Sequence, residues 1–191
     1  MIRKEGTFMD NLQNNYAANN QTDNLKKVFM VTLICSILMI VAFILPFTTA
    51  TKDYKERIEK YEDEVADEEL NLTYGDLKNV NLAEYARIYF VHRDELREGE
   101  GIMYLVIISL IALFTLLAFV NTLRKKPVAT IVFDILTFAG VSLLRWDFLD
   151  RGVVPSSSYD WGVGIYIYYI AMVALFISCI WLGVVKKKSI A

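Results

Sequence analysis

The sequence predicts an all-α fold: a four-helix transmembrane bundle with a helical extracellular cap formed by its first outer loop. Three observations support this prediction. Hydrophobic residues make up 55% of the chain, which is more than an ordinary soluble domain contains. They cluster in four runs that reach or nearly reach the roughly 20 residues needed to cross a bilayer. The Lys and Arg residues that flank these runs fall on one side of an even number of spans.

The four apolar runs should be helices, because a backbone in lipid must satisfy its hydrogen bonds within the segment. They occupy residues 28–50, 102–123, 128–144 and 161–185. With their flanking residues, we expect transmembrane helices at 26–50, 101–123, 128–146 and 161–185. Cleavage after Ala50 by a signal peptidase is the alternative for the first run, but that run is longer than a signal-peptide core and follows a polar tail.

The remaining segments are predicted to be loops and tails. Residues 1–25 are rich in Asn and should form a disordered cytoplasmic tail. The other predicted segments are an extracellular helical loop at 51–100, a cytoplasmic turn at 124–127, an extracellular loop at 147–160 and a cytoplasmic tail at 186–191.

The distribution of charge predicts the orientation in the membrane. The two tails, the 124–127 turn and the start of the first span at Lys26 and Lys27 together contain ten Lys and Arg residues and three acids, whereas residues 51–100 contain fifteen acids and eight basic residues. Lys and Arg are retained on the cytoplasmic side. We therefore expect a multi-pass protein of the cell membrane with both termini in the cytoplasm. Neither Cys35 nor Cys179 lies in an outer loop, which favours a bacterial membrane.

The first outer loop contains two helical patterns. Apolar residues at 54, 58, 61 and 65 predict one narrow stripe on a charged helix. Asn81 and Glu84 resemble a capping box, and a second apolar stripe follows at 82, 85, 86, 89 and 96. The loop should therefore be a helical hairpin on the outer ends of the spans. Near those ends, Gly162 and Gly164 are predicted to be close-packing positions.

Asp134 is the most informative residue, because an ionisable residue within a span is costly and is by default a candidate functional site. It shares one face of its helix with Thr130, Thr137, Val141 and Arg145. Small polar residues of the other three helices should lie at its depth. The predicted intramembrane polar site comprises Asp134, Thr130, Thr137, Ser36, Thr115 and Ser178. A structural acid bonded to these hydroxyls, a proton or cation site, and an acid awaiting a cation from a partner protein are the three alternatives.

A second cluster of charge is predicted at the outer end of the third span. It comprises Arg145, Trp146, Asp147, Asp150 and Arg151. Asp147 and Arg151 have the spacing of an i, i+4 ion pair, and Arg145 should pair with an acid of the large loop. The cluster could be an interfacial cap or the mouth of an ion or ligand path.

Several classes of function are not supported by the sequence. It contains no nucleophile-elbow, zinc-protease, phosphate-loop or paired-cysteine motif. His92 is the only histidine, so a multi-histidine metal or haem site is excluded. We expect no enzymatic activity, no cofactor, no bound metal and no nucleic-acid partner.

The topology resembles that of claudins and tetraspanins, but the cysteine motifs of both families are absent. The segments "ILPF", "WD" and "YDWGVGIYIYY" resemble parts of four-span membrane proteins of Gram-positive bacteria, a resemblance that implies no known activity.

The expected function is protein–protein interaction by a non-catalytic membrane protein, as an accessory subunit or immunity-type protein, through the acidic loop and the helix faces. Its partner would be another membrane or extracellular protein, or a second copy of the chain. The alternative is a small oligomeric transporter or channel that uses Asp134 as a proton or cation site.

Overall fold

A computed structural model describes residues 3–94 and 99–188, with side chains described from residue 22 onward except those of residues 100 and 188. The described chain is predominantly helical. Its α-helices are α1 (Arg3–Ile44), α2 (Lys52–Ile58), α3 (Leu82–Val91), α4 (Glu100–Leu123), α5 (Pro127–Asp150) and α6 (Val163–Lys188). Its strands are β1 (Thr48–Ala50), β2 (Val65–Asp67), β3 (Leu72–Thr73), β4 (Asn79–Val80) and β5 (Tyr159–Trp161).

Four of the helices are long and apolar enough to cross a membrane. Their candidate spans are Thr22–Ile44 of α1, Gly101–Leu123 of α4, Pro127–Asp150 of α5 and Val163–Lys187 of α6. Large hydrophobic side chains remain exposed along all four. This agrees with the prediction of a multi-pass membrane protein, since such surfaces would otherwise face water.

The four long helices form a closed ring in which each packs against two neighbours. The order around the ring is α1, α4, α5 and α6, with α6 returning to α1. Fully buried side chains fill the centre, among them Met39, Ile111, Leu144, Tyr168 and Leu175. One end of the ring carries the N-terminal part of the α1 span, the α4–α5 turn and the end of α6, and is called the terminal end. The opposite end is called the cap end.

The boundaries of the long helices differ from the predicted ones. Helix α1 begins at Arg3, within the segment predicted to be disordered, since no proline interrupts the chain before residue 46. It ends at Ile44 rather than at residue 50, because Pro46 cannot continue a helix. Helix α5 continues to Asp150, four residues past the predicted end, and α6 begins at Val163 after β5.

The cap, comprising residues 45–94 and 151–162, is a mixture of short helices and short strands rather than the predicted helical hairpin. Helix α2 ends at Ile58 and passes into a single 3-10 turn at Glu59–Tyr61. The predicted stripe breaks there, because Tyr61 and Val65 are each 51% exposed. Val65 instead belongs to β2, which pairs with β3.

A three-stranded antiparallel sheet, absent from the prediction, joins three distant parts of the chain. Its order is β4-β1-β5, with Thr49 opposite both Asn79 and Asp160. The sheet ties the end of the first span to the start of the fourth.

Helix α3 has the predicted start. The Asn81 side chain accepts a hydrogen bond from the Glu84 backbone N–H at 2.9 Å, and the Glu84 carboxylate accepts one from the Asn81 N–H at 2.8 Å. This is a complete capping box. Leu82 and Tyr89 of the predicted stripe are buried, whereas Leu96 lies outside the described residues.

Gly162 and Gly164 permit the close approach of α6 to the end of α1. A Cβ atom at Gly162 would lie 2.2 Å from the Pro46 carbonyl oxygen, and one at Gly164 would lie 2.7 Å from that of Leu45. The Gly164 N–H also donates to the Pro46 carbonyl at 2.7 Å. Both glycines are therefore close-packing positions.

Candidate functional site

Asp134 lies on the buried face of α5 and is only 3% exposed. Seven residues separate it from the start of the helix, a depth of about 10 Å from the terminal end. The other buried residues of α5 share this face: Thr130, Thr137, Val141, Leu144 and Phe148. Arg145, predicted to lie on the same stripe, is exposed instead, because the helix turns Leu144 and Phe148 inward at that end.

The hydroxyls predicted to surround Asp134 are all buried, but each donates to its own helix. Thr130 donates to the Lys126 carbonyl and Thr137 to that of Phe133, in both cases four residues earlier. Ser36, Thr115 and Ser178 make equivalent bonds within α1, α4 and α6 at 2.8–2.9 Å. A hydroxyl that donates its proton to a carbonyl of its own helix cannot donate it to a neighbouring helix.

As a result, the Asp134 carboxyl is not bonded to these hydroxyls. Its Oδ1 atom is buried and has no hydrogen-bond partner among the described residues. None of the ion pairs in the described part of the chain includes it. An unsatisfied buried acceptor costs about 1–3 kcal/mol, and more if the group is charged. The structural role expected from bonds to Ser and Thr is therefore not the arrangement observed.

The neighbours of Asp134 inside the ring come from α1 and α6. Cys35, Cys179 and Tyr168 lie within electrostatic range of the carboxyl. The Tyr168 hydroxyl is hydrogen-bonded to Thr115 and not to Asp134. The site predicted from the sequence did not include these three residues, because it was assembled from Ser and Thr hydroxyls.

A cleft of about 200 Å³ leads from Asp134 to the surface between α5 and α6. Ile135 and Phe138 of α5 line one wall, and Val173 and Phe176 of α6 line the other. Ile135 is 52% and Val173 is 53% exposed, so the mouth of the cleft lies on the membrane-facing surface of the ring. Asp134 is the one ionisable residue among those that line this cleft.

The second predicted cluster lies at the cap end, where α5 leaves the ring. Arg151 donates to the Asp147 Oδ2 atom from Nε at 2.9 Å and from Nη2 at 2.6 Å. The Tyr104 hydroxyl of α4 donates to Asp147 Oδ1 at 3.1 Å, and the Arg151 guanidinium lies 4.3 Å from the Tyr104 ring centroid. Both oxygens of Asp147 are therefore satisfied, and the cluster fastens α5 to α4.

The other members of that cluster do not join the ion pair. Arg145 lies over two aromatic rings, 5.7 Å from Trp161 and 5.9 Å from Tyr169, and forms no ion pair with an acid of the described part of the loop. Trp146 is 62% exposed and Asp150 is exposed. Within the described residues, Arg145 makes cation–π contacts instead of the expected ion pair.

Aromatic rings connect this cluster to the cap. Phe47 packs edge-on against Tyr85, Phe148 and Trp161, with centroids 5.8–6.5 Å apart. The Tyr85 hydroxyl is 2.8 Å from Thr48 Oγ1. Burial raises the pKa of Tyr85 to about 12, so the hydroxyl stays protonated at neutral pH. The junction between cap and ring is thus packed rather than open.

The acidic segment of the cap is partly folded onto α3. Asp67 Oδ2 lies 2.6 Å from His92 Nε2, and the Leu70 N–H donates to Asp67 Oδ1. The backbone bond from Leu70 and the His92 contact lower the pKa of Asp67 despite partial desolvation. Its remaining acids are exposed at residues 62–64, 68 and 69.

Comparison of the chain with protein-family models, with curated proteins and with solved structures finds no match.

Proposed function

We propose that this chain is a non-catalytic membrane protein that acts by binding another protein within the bilayer, as an accessory subunit or immunity-type protein would. Two observations carry the proposal: the Asp134 Oδ1 atom is buried without a hydrogen-bond partner among the described residues, and Asp134 belongs to the lining of the α5–α6 cleft. A transmembrane helix of the partner would pack over the cleft, and one of its side chains, Lys, Arg or a hydroxyl, would enter and supply the missing donor.

The composition of the cleft supports a helix as the occupant. Its lining is apolar except for Asp134. Association of helices in lipid depends on close packing and on hydrogen bonds between helices, because lipid tails are as apolar as the side chains. A partner side chain that fills the cleft would supply the close packing, and its bond to the Asp134 carboxyl would supply the hydrogen bond between helices.

The ring gives less support to a path for water or ions through a single copy of the chain. Between Asp134 and the cap end, α5 presents only Thr137 as a buried polar residue before Val141, Leu144 and Phe148. These side chains are fully buried against the facing helices. Helix α5 would therefore offer water and ions no buried polar surface beyond Thr137.

The proposed orientation places the cap outside the cell and both termini in the cytoplasm, following the Lys and Arg count. The exposed acids at residues 62–64, 68 and 69 would then face a partner's extracellular part. Tyr61 and Val65, each half exposed among these acids, would contribute apolar contact.

Photo-cross-linking within the membrane tests the proposal. A photoreactive residue replaces Val173 in the cleft or, as a control, Leu113 on α4, which is similarly exposed to the membrane. We expect one defined cross-linked species, a partner or a second copy, from position 173 and not from position 113. Asp134→Asn should abolish it, whereas Asp150→Asn, the same change at an exposed site of α5, should leave it intact. Equal cross-linking from both positions, or none that depends on Asp134, would refute the proposal.

A small oligomeric transporter or channel is the second candidate, because the same carboxyl could carry a proton or bind a cation. Reconstitution into proteoliposomes distinguishes the two functions. Flux by the wild type that disappears in Asp134→Asn, with unchanged thermal stability, would favour transport. No flux from either protein would weigh against it.

A further inference from the structure

A groove of about 400 Å³ at the terminal end is separate from the Asp134 cleft. It lies between the start of the α1 span, the α4–α5 turn and the last turns of α6. Its apolar surface comes from Leu25, Phe29, Met30 and Leu182. Met30 is 53% exposed on the membrane-facing side, so the groove continues onto the surface that lipid tails cover.

Three lysines from three different elements line the same groove. Lys26 belongs to α1, Lys125 to the α4–α5 turn and Lys186 to α6. The Lys186 ammonium donates to the Lys125 carbonyl at 3.2 Å, and the Lys125 Nζ lies 5.1 Å from the Phe29 ring centroid. The fold therefore brings three positive charges to the edge of an apolar groove.

The backbone of Lys125, which places one of the three lysines, has a strained conformation. Its φ angle is +53°, in the left-handed region that favours glycine. Its N–H donates to the Thr122 carbonyl and the Lys126 N–H donates to that of Asn121, which is the Schellman pattern. A lysine at the usual glycine position costs on the order of 1 kcal/mol and directs a long cationic side chain over Phe29.

The terminal end as a whole is also positively charged. Among residues 22–27, 124–126 and 186–187 there are seven basic side chains and one acid, Asp23. Anionic lipids are concentrated in the cytoplasmic leaflet, where we expect this end to lie, and basic pockets between helices on that side bind their headgroups.

We infer that this groove is a binding site for an anionic phospholipid. The phosphate lies among Lys26, Lys125 and Lys186, and one acyl chain follows the apolar surface past Phe29 and Met30. A soluble phosphate would use only the lysines, whereas a lipid uses both halves of the groove. The inference is independent of the function proposed for Asp134.

Native mass spectrometry of the detergent-purified protein tests this site. The protein is titrated with dioleoylphosphatidylglycerol and with dioleoylphosphatidylcholine. We expect the phosphatidylglycerol to bind at concentrations at least about tenfold lower, because three lysines face its net negative charge. Equal retention of the two lipids would overturn the inference.

Two matched variants separate the groove from the general charge of this end. The triple variant Lys26→Gln, Lys125→Gln, Lys186→Gln should lose the preference. The triple variant Lys27→Gln, Lys126→Gln, Lys187→Gln removes the same charge at adjacent positions that do not line the groove, and should retain most of the preference. Equal loss in both variants would show that only diffuse surface charge attracts the lipid.

Two further measurements address folding and the source of the phosphate. Lys125→Gly relieves the strained backbone, so it should leave the melting temperature unchanged or higher while weakening the preference for phosphatidylglycerol. Unchanged lipid binding in this variant would contradict the role of Lys125. Glycerol 3-phosphate should bind much more weakly than the lipid, because it has no acyl chain, and equal binding would overturn the assignment to a lipid.

Discussion

At the residue scale, Gly162 makes one of the closest backbone approaches in the fold. Its N–H donates to the Phe47 carbonyl at 2.9 Å, and its Cα faces the Pro46 carbonyl across a gap too small for a methyl group. The backbone just after α1 and the backbone just before α6 are therefore in direct contact at this point. Side-chain packing cannot relieve a clash there, since backbone would have to move on both sides.

We expect Gly162→Ala to lower the free energy of unfolding by about 2 kcal/mol or more, because the added methyl overlaps the Pro46 carbonyl. Thermal unfolding in detergent measures the loss. Gly183→Ala in α6 is the matched control, since its Cβ would approach only Pro127 Cγ, at an ordinary 3.8 Å. That variant should be neutral or up to about 1 kcal/mol more stable. Similar melting temperatures for both variants would contradict the packing described.

For Asp134, the sequence predicts which face of the helix the residue shares but not its hydrogen bonds. The spacing of Thr130, Asp134 and Thr137 predicts a shared face, and all three are buried on it. Whether a hydroxyl bonds to a neighbouring helix or to its own carbonyl depends on rotamers and on distances between helices. Sequence spacing contains neither quantity. That Oδ1 has no partner among the described residues could therefore be recognised only from the structure.

At the element scale, the spans were predictable because each depends on a local property, a long apolar run. The capping box of α3 was predictable for the same reason, since Asn81 and Glu84 interact within one turn. The β4-β1-β5 sheet was not predictable, because its strands are two or three residues long and pair across 30 and about 110 residues. The periodic apolar residues from Tyr54 to Val65 instead suggested a continuous helix, which the pairing of β2 with β3 interrupts.

Cross-strand disulfides test the register of this sheet. In Thr49→Cys with Asp160→Cys the two Cα atoms stand directly opposite on β1 and β5, about 4.5–5.5 Å apart, a separation that a disulfide spans. We expect mild oxidation to protect both thiols from a maleimide reagent, as read by gel shift. Cys35 and Cys179 are buried and should not contribute.

The control pair uses the other neighbour of β1. Asn79→Cys with Asp160→Cys places the thiols on β4 and β5, two strand spacings or roughly 9.6 Å apart. This pair should stay reduced under the same conditions. Oxidation of the control pair, or failure of the first pair to oxidise, would contradict the strand order.

At the scale of the whole molecule, the two ends of the ring differ in charge and in construction. The terminal end is basic and contains a groove lined by three lysines, whereas the cap is acidic and fixed to the ring by aromatic packing. Asp134 lies between them, nearer the basic end. The charge difference determines the expected orientation. The orientation in turn determines in which leaflet the groove lies and on which side of the membrane the acids of the cap lie.

We expect the cap to face the outside of the cell, because the ten Lys and Arg residues of the tails, the α4–α5 turn and the start of the first span favour the cytoplasm. Asp63→Cys introduces a thiol on the exposed part of the cap, and Lys187→Cys introduces one at the terminal end. A membrane-impermeant maleimide should label the first on intact cells and the second only after permeabilisation. The reverse pattern would place the acidic segment in the cytoplasm and the lysine groove in the outer leaflet, so the extracellular role proposed for the cap would fail with it.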